Sequence, residues 1–178
     1  MSTLKVNSII PVAGVPTGGG GGIIQIKQTF KADTTSTTTS GSFVDVSGMS
    51  VSITPTSTSS KILILVSLGS VSSAGGVAVA FKLLRGSTSV GNSDNTSTNL
   101  SGFTNFYAGN SSDDPYLMSG THNFLDSPST TSATTYKLQW RISSGASYLN
   151  RYQSAASNTG SSSITALEVS AWLLPCII

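Results

Sequence analysis

The chain has 178 residues, enough for one domain with a short appendage. Only 9% of them are charged, nine Lys/Arg against seven Asp/Glu, while 35 serines and 22 threonines supply an uncharged polar surface. The net charge of +2 gives no basic field for nucleic acid, and with 38% hydrophobic residues the chain is apolar enough to build a core rather than stay disordered.

The opening segment, MSTLKVNSIIPVAG, carries one lysine and a short apolar patch broken by Pro11. That is too short for a secretory core, so synthesis in a cytoplasm is expected. No apolar run approaches the ~20 residues with which a helix crosses a bilayer, and no membrane insertion is expected. Gly18 to Gly22 form an unbroken glycine run, a flexible joint by composition. The organisation expected is therefore residues 1–22 as arm and joint, and residues 23–178 as a head domain. Pro11 and Pro16 forbid a helix across the arm. Its apolar residues Leu4, Val6, Ile9 and Ile10 have no core of their own and must dock on something larger.

The body reads as strands. Ile24–Phe30 opens it, and Phe43–Val46 follows the threonine-rich loop 33–41. Met49–Thr54 alternates strictly, with one face buried and one wet. Lys61–Leu68, KILILVSL, is nearly continuous in apolar residues, the pattern of a central strand buried on both faces. Val77–Leu84 comes next, then weaker candidates around 103–107, 121–125 and 147–152. Tyr136, Leu138, Trp140 and Ile142 alternate with Lys137, Gln139 and Arg141. Finally Leu167, Val169, Ala171 and Leu173 alternate with Glu168 and Ser170, which predicts the leucines inside and the glutamate outside. Nine or ten strands with Gly/Ser/Thr/Pro turns predict an all-β antiparallel sandwich, with a jelly roll the favoured topology.

Residues that carry chemistry are sparse. The one histidine, His122, has Ser119 and Asp126 near it in sequence, but among 35 serines such a neighbour is expected by chance. One histidine and one cysteine (Cys176) cannot close a four-ligand zinc site, and a single cysteine makes no intrachain disulfide. Asp94 among Asn92, Asn95 and Asn99, and Asp113-Asp114 before Pro115, match no calcium-loop spacing and read as turn formers. The glycine run lacks the Lys-Ser/Thr of a phosphate loop. No catalytic residue, metal or cofactor is expected. A polysaccharide-degrading enzyme would need a spaced pair of carboxylates, and the few acids fall mostly in turn-like contexts. Tyr107, Tyr116, Tyr148 and Tyr152 lie in or near loops. They suit an adaptable binding surface, and equally the sealing of core edges with the phenol in water.

Several segments taken together are familiar. Met1–Ile10, the glycine joint with Ile24–Phe30, Val51–Leu63, Phe81–Thr88 and above all Phe124–Gln139 resemble bacteriophage tail-fibre and virion structural proteins, notably of phages infecting cyanobacteria. The resemblance implies a β-sandwich head in a homotrimer, held to the virion by its N-terminal arm, with no catalytic residues to carry over. It leaves two roles open. One is a tail fibre attached to tail or baseplate whose head contacts the host surface, with polysaccharide a plausible target. The other is a trimeric cement protein that strengthens the capsid. In one respect the chain departs from the family: it continues past Val169 into Trp172, Leu173, Leu174, Cys176, Ile177 and Ile178. So apolar a tail is expected at a subunit interface or threefold axis, where Cys176 would meet its symmetry mates.

Overall fold

Alternating β-branched and hydroxyl side chains place almost every regular segment in a strand. The computed structural model describes residues 22–73, 75–93, 100–107, 117–153 and 159–170, and among them are eleven strands and no helix. One sheet contains β1 (Ile23–Lys31), β2 (Thr35–Thr37), β4 (Lys61–Ser73), β8 (Leu117–Asp126), β10 (Ser147–Leu149) and β11 (Ser162–Val169). The other contains β3 (Val44–Ile53), β5 (Ala78–Arg85), β6 (Thr88–Ser89), β7 (Thr104–Tyr107) and β9 (Thr134–Ile142).

The first sheet is ordered β1-β11-β4-β8 through its lower half. Above, β10 and β2 continue the places of β11 and β1. The second sheet is ordered β3-β9-β5-β7. All pairings are antiparallel, and the chain crosses between sheets as two interlocked Greek keys. The expected all-β sandwich is thus a jelly roll.

The core lies between the sheets. Trp140, Phe81 and Leu138 come from one side, and Ile62, Ile64 and Val66 from the other; all are buried. Phe81 is the centre of an aromatic group, 5.9 Å from Trp140 and 6.0 Å, edge-on, from Phe106. Asn150 secures the place where β10 and β11 divide. It is fully buried at φ 64°, a left-handed conformation that Asn tolerates. Its Nδ2 donates to the carbonyls of Lys31 and Asp33, and its Oδ1 accepts from Ser162 Oγ at 2.6 Å.

Three features differ from the sequence expectation. Phe43–Val46 and Met49–Thr54 are not two strands but the single β3, bent by a bulge between Asp45 and Ser50 where Gly48 takes φ 76°. The threonine-rich loop 33–41 contains β2, which pairs with β10. On β11 the alternation is inverted: Glu168 points inward and is fully buried, while Leu167 and Val169 face outward and are half-buried. The inversion is possible because polar donors surround the carboxylate. Gln25 Nε2 donates to Oε2 at 2.6 Å, and Thr56 N–H and Oγ1–H donate to Oε1 at 2.7 Å each.

Residues 1–21 and 171–178 lie outside the described residues, and with them Leu4, Val6, Ile9 and Ile10 of the arm. The tail residues Trp172, Leu173, Leu174, Cys176, Ile177 and Ile178 lie there too.

Candidate interaction surfaces

Strand direction gives the sandwich two unlike ends. Gly22 and Ser170, where the described body begins and ends, are hydrogen-bonded to each other beside the start of β4. At the far end of β4, thirteen residues and about 40 Å away, lie the connections β2–β3, β4–β5 and β9–β10, with the end of β7 and the start of β8. Tyr107 and Tyr148 lie at this distal end, on opposite sheets. Tyr107 is 57% exposed. Tyr148 is half-buried beneath the Arg151 guanidinium, 4.4 Å from its ring centroid. Tyr152 is half-buried and its carbonyl accepts from Arg151 Nε, while Tyr116 lies outside the described residues.

The outward faces of the two sheets also differ. On β3 and β9 the face is charged and hydrogen-bonded: Lys137 Nζ and Gln139 Nε2 both donate to Asp45, at 2.8 and 2.7 Å, and hold its carboxyl below the usual range. On the first sheet the outward face is apolar. Cross-strand register sets Ile26, Leu167, Leu63 and Leu125 in one row across β1, β11, β4 and β8. The next row, Gln28, Thr165, Leu65 and Asn123, borders a shallow depression of about 370 Å³. Its lining is more apolar than polar: Leu65 and the carbon stems of Gln28, Thr165, Thr121 and Asn123 contribute, with their amide and hydroxyl groups among them.

The four described carboxylates are each engaged. Asp33 pairs with Lys31 at 2.8 Å, and Asp45 and Glu168 are bound as above. Asp126 accepts Arg85 Nη1 on both oxygens at 2.8 Å and the Tyr136 hydroxyl at 2.6 Å. Burial and the adjacent Asp126 push the Tyr136 phenol far above its ordinary value. Asp126 and Glu168 flank Ile62 in register, two strand spacings apart, about 10 Å. Both are buried, and each bonds side chains brought to it by neighbouring elements. Asp45, Asp126 and Glu168 sit in strands, and Asp33 lies in the connection between β1 and β2. Among the described residues no group of three or more His, Cys, Asp or Glu is placed to hold a metal ion.

His122 faces the interior of the sandwich edge, stacked on Phe103 at 4.3 Å and hydrogen-bonded to the backbone of Gly91. Its Nε2 is buried without a partner. Asp126 lies four residues further along the same strand and is occupied by Arg85 and Tyr136, so the sequence neighbours of His122 do not assemble around it. Burial lowers its pKa, and the Gly91 bond only partly offsets this. The folded state therefore binds this proton less readily than the unfolded chain. Stability should be flat above the ordinary histidine value of ~6.5 and fall as pH drops from there through the folded value. Melting temperatures between pH 7.5 and 5, values set by that window, are expected to show this decline in the native chain. In His122→Phe, which keeps a ring against Phe103, the decline should flatten.

What fold and surface define is a charge-poor jelly-roll domain with an apolar outer sheet face. No family model and no curated protein matches the chain. Among solved structures, a chain of "Structure of infectious bursal disease virus Gt strain" aligns with TM-score 0.38 and 12% identity over 97% of this chain and 42% of that one. A chain of "Structure of infectious bursal disease virus Gx strain" aligns with TM-score 0.39 and 13% identity over 93% and 44%. This chain spans less than half the length of either.

Proposed function

We propose that the protein is a non-enzymatic structural component of a phage virion, a homotrimeric tail fibre. Residues 1–17 attach it to the tail or baseplate, and the distal loops contact the host surface. Tyr107, Tyr116, Tyr148 and Tyr152 are the candidate contact residues. The observation that carries the reading is the polarity of the sandwich: the described body begins and ends at one end, and the connections β2–β3, β4–β5 and β9–β10 gather at the other. A tethered knob needs that arrangement. An uncharged hydroxyl- and amide-rich surface suits recognition of polysaccharide by hydrogen bonding and shape, and three copies multiply a weak contact.

A second reading is a capsid cement protein, which the same sandwich held by one end would also serve. Counting copies per particle separates the two: hundreds speak for cement, a few tens for a fibre. Deleting residues 1–17 is expected to remove the protein from particles while its far-ultraviolet β signature persists. Retention of the truncated protein on particles would overturn the anchor.

A further inference from the structure

We infer that the outward face of the β1-β11-β4-β8 sheet is the surface through which copies of this chain associate. The inference rests on the virion reading only for the number of copies. The physical case begins with β4. Its run of Ile62, Leu63, Ile64, Leu65 and Val66 is the pattern of a strand covered on both sides. The other sheet covers one side and buries Ile62, Ile64 and Val66. Leu63 and Leu65 point the other way, and in the single chain Leu65 is 40% exposed.

The neighbouring strands repeat this. On β1, Ile26 is 57% and Phe30 63% exposed, and on β8, Leu125 is 55% exposed. On β11 the apolar side chains Leu167 and Val169 were sent outward although that required burying a glutamate. Four adjacent strands thus carry apolar residues on a face that nothing among the described residues covers.

The exposed apolar surface is on the order of 500 Å², near the upper limit for a monomer's largest patch. The row Gln28, Thr165, Leu65 and Asn123 adjoins these apolar residues and extends the face toward the roughly 800 Å² that a stable interface takes from each partner. Charge selects the occupant. Among the described residues Lys61, at the lower margin and bonded to Ser127 Oγ, is the charged side chain in these rows. Copies of the same face therefore meet without like-charge repulsion, whereas the β3-β9 face would oppose Lys137 to Lys137 and Asp45 to Asp45. A second copy of this chain is the partner that brings matching apolar rows and matching hydroxyls.

The test uses the full chain in sedimentation equilibrium at micromolar concentration. The native protein is expected at a multiple of the chain mass, three under the virion reading. Ile26→Lys and Leu125→Lys, each at a position over half exposed, are expected to shift the association midpoint at least tenfold toward monomer. Ser50→Glu, on the opposite sheet beside Lys137, is expected to leave it unchanged. If the lysine variants lose their β signature, Ile26→Ser and Leu125→Ser take their place. A native monomer overturns the inference, including one whose β4 amides are shielded from exchange by the chain's own terminal segments. So does an oligomer that both face variants leave intact. A monomer found on particles would defeat the interface alone, and an oligomer missing from particles would defeat the virion reading alone.

Discussion

Asp126→Ala is expected to lower folding stability by about 3–5 kcal/mol, the range for breaking a buried charged network from one side. The carboxylate joins three strands. It receives both bonds from Arg85 on β5 and the hydroxyl of Tyr136 on β9, while lying itself at the end of β8. Removing it leaves Arg85, which is partly solvated, and the fully buried Tyr136 hydroxyl, which water cannot reach. The second loss is the larger, because an unsatisfied buried donor costs about 1–3 kcal/mol. Tyr136→Phe in the Asp126→Ala background should therefore restore part of the stability, although Tyr136→Phe alone destabilises. Urea denaturation of the two single variants and the double variant, at one chain concentration, measures this coupling. A loss under 1 kcal/mol for Asp126→Ala, or simple additivity, would show that the network contributes little.

Glu168→Gln is expected to cost about 2–3 kcal/mol although it removes only a charge. One carboxylate oxygen accepts two bonds from Thr56 and the other accepts Gln25 Nε2. A carboxamide must turn its NH₂ toward one of these donors. If that NH₂ faces Gln25, the Gln25 amide must rotate and give up its 2.7 Å bond to the Thr54 carbonyl. The pH dependence has a definite sign. Burial opposes the charge, but bonds from Gln25, Ser60 and Thr56 outweigh it and hold the pKa below the ordinary glutamate value. The stabilisation is therefore present above that ordinary value, ~4.3, and is lost as pH falls through the folded one. Melting curves below pH 5 should separate the native chain from the variant at the upper end of that range and bring them together at its acid end. Equal separation throughout would rule out ionisation as the cause.

Sequence reading was most successful where a strand obeyed one simple period. β9 was legible because Tyr136, Leu138, Trp140 and Ile142 all face the core and the residues between them all face water. The central place of β4 was legible from its two-sided apolar run. β11 misled because alternation fixes which residues share a face but not which face lies inside. Glu168 could be read as buried only by knowing that Gln25, Thr56 and Ser60 converge on it from β1 and the β3–β4 connection. β2 was hidden because threonine serves strands and turns alike, and pairing with β10 decided its state. The His122 environment depends on Phe103 and Gly91, which only the folded chain brings to it.

The pairing of β1 with β11 also decides how the domain bears load. β1 runs upward from Gly22, and eight residue pairs link it to β11. A pull on the chain ahead of Gly22, resisted at the distal loops, acts along that ladder rather than across it. Its hydrogen bonds then share the force and must fail together, so the sandwich resists shear where a hairpin peeled from one end would unzip bond by bond.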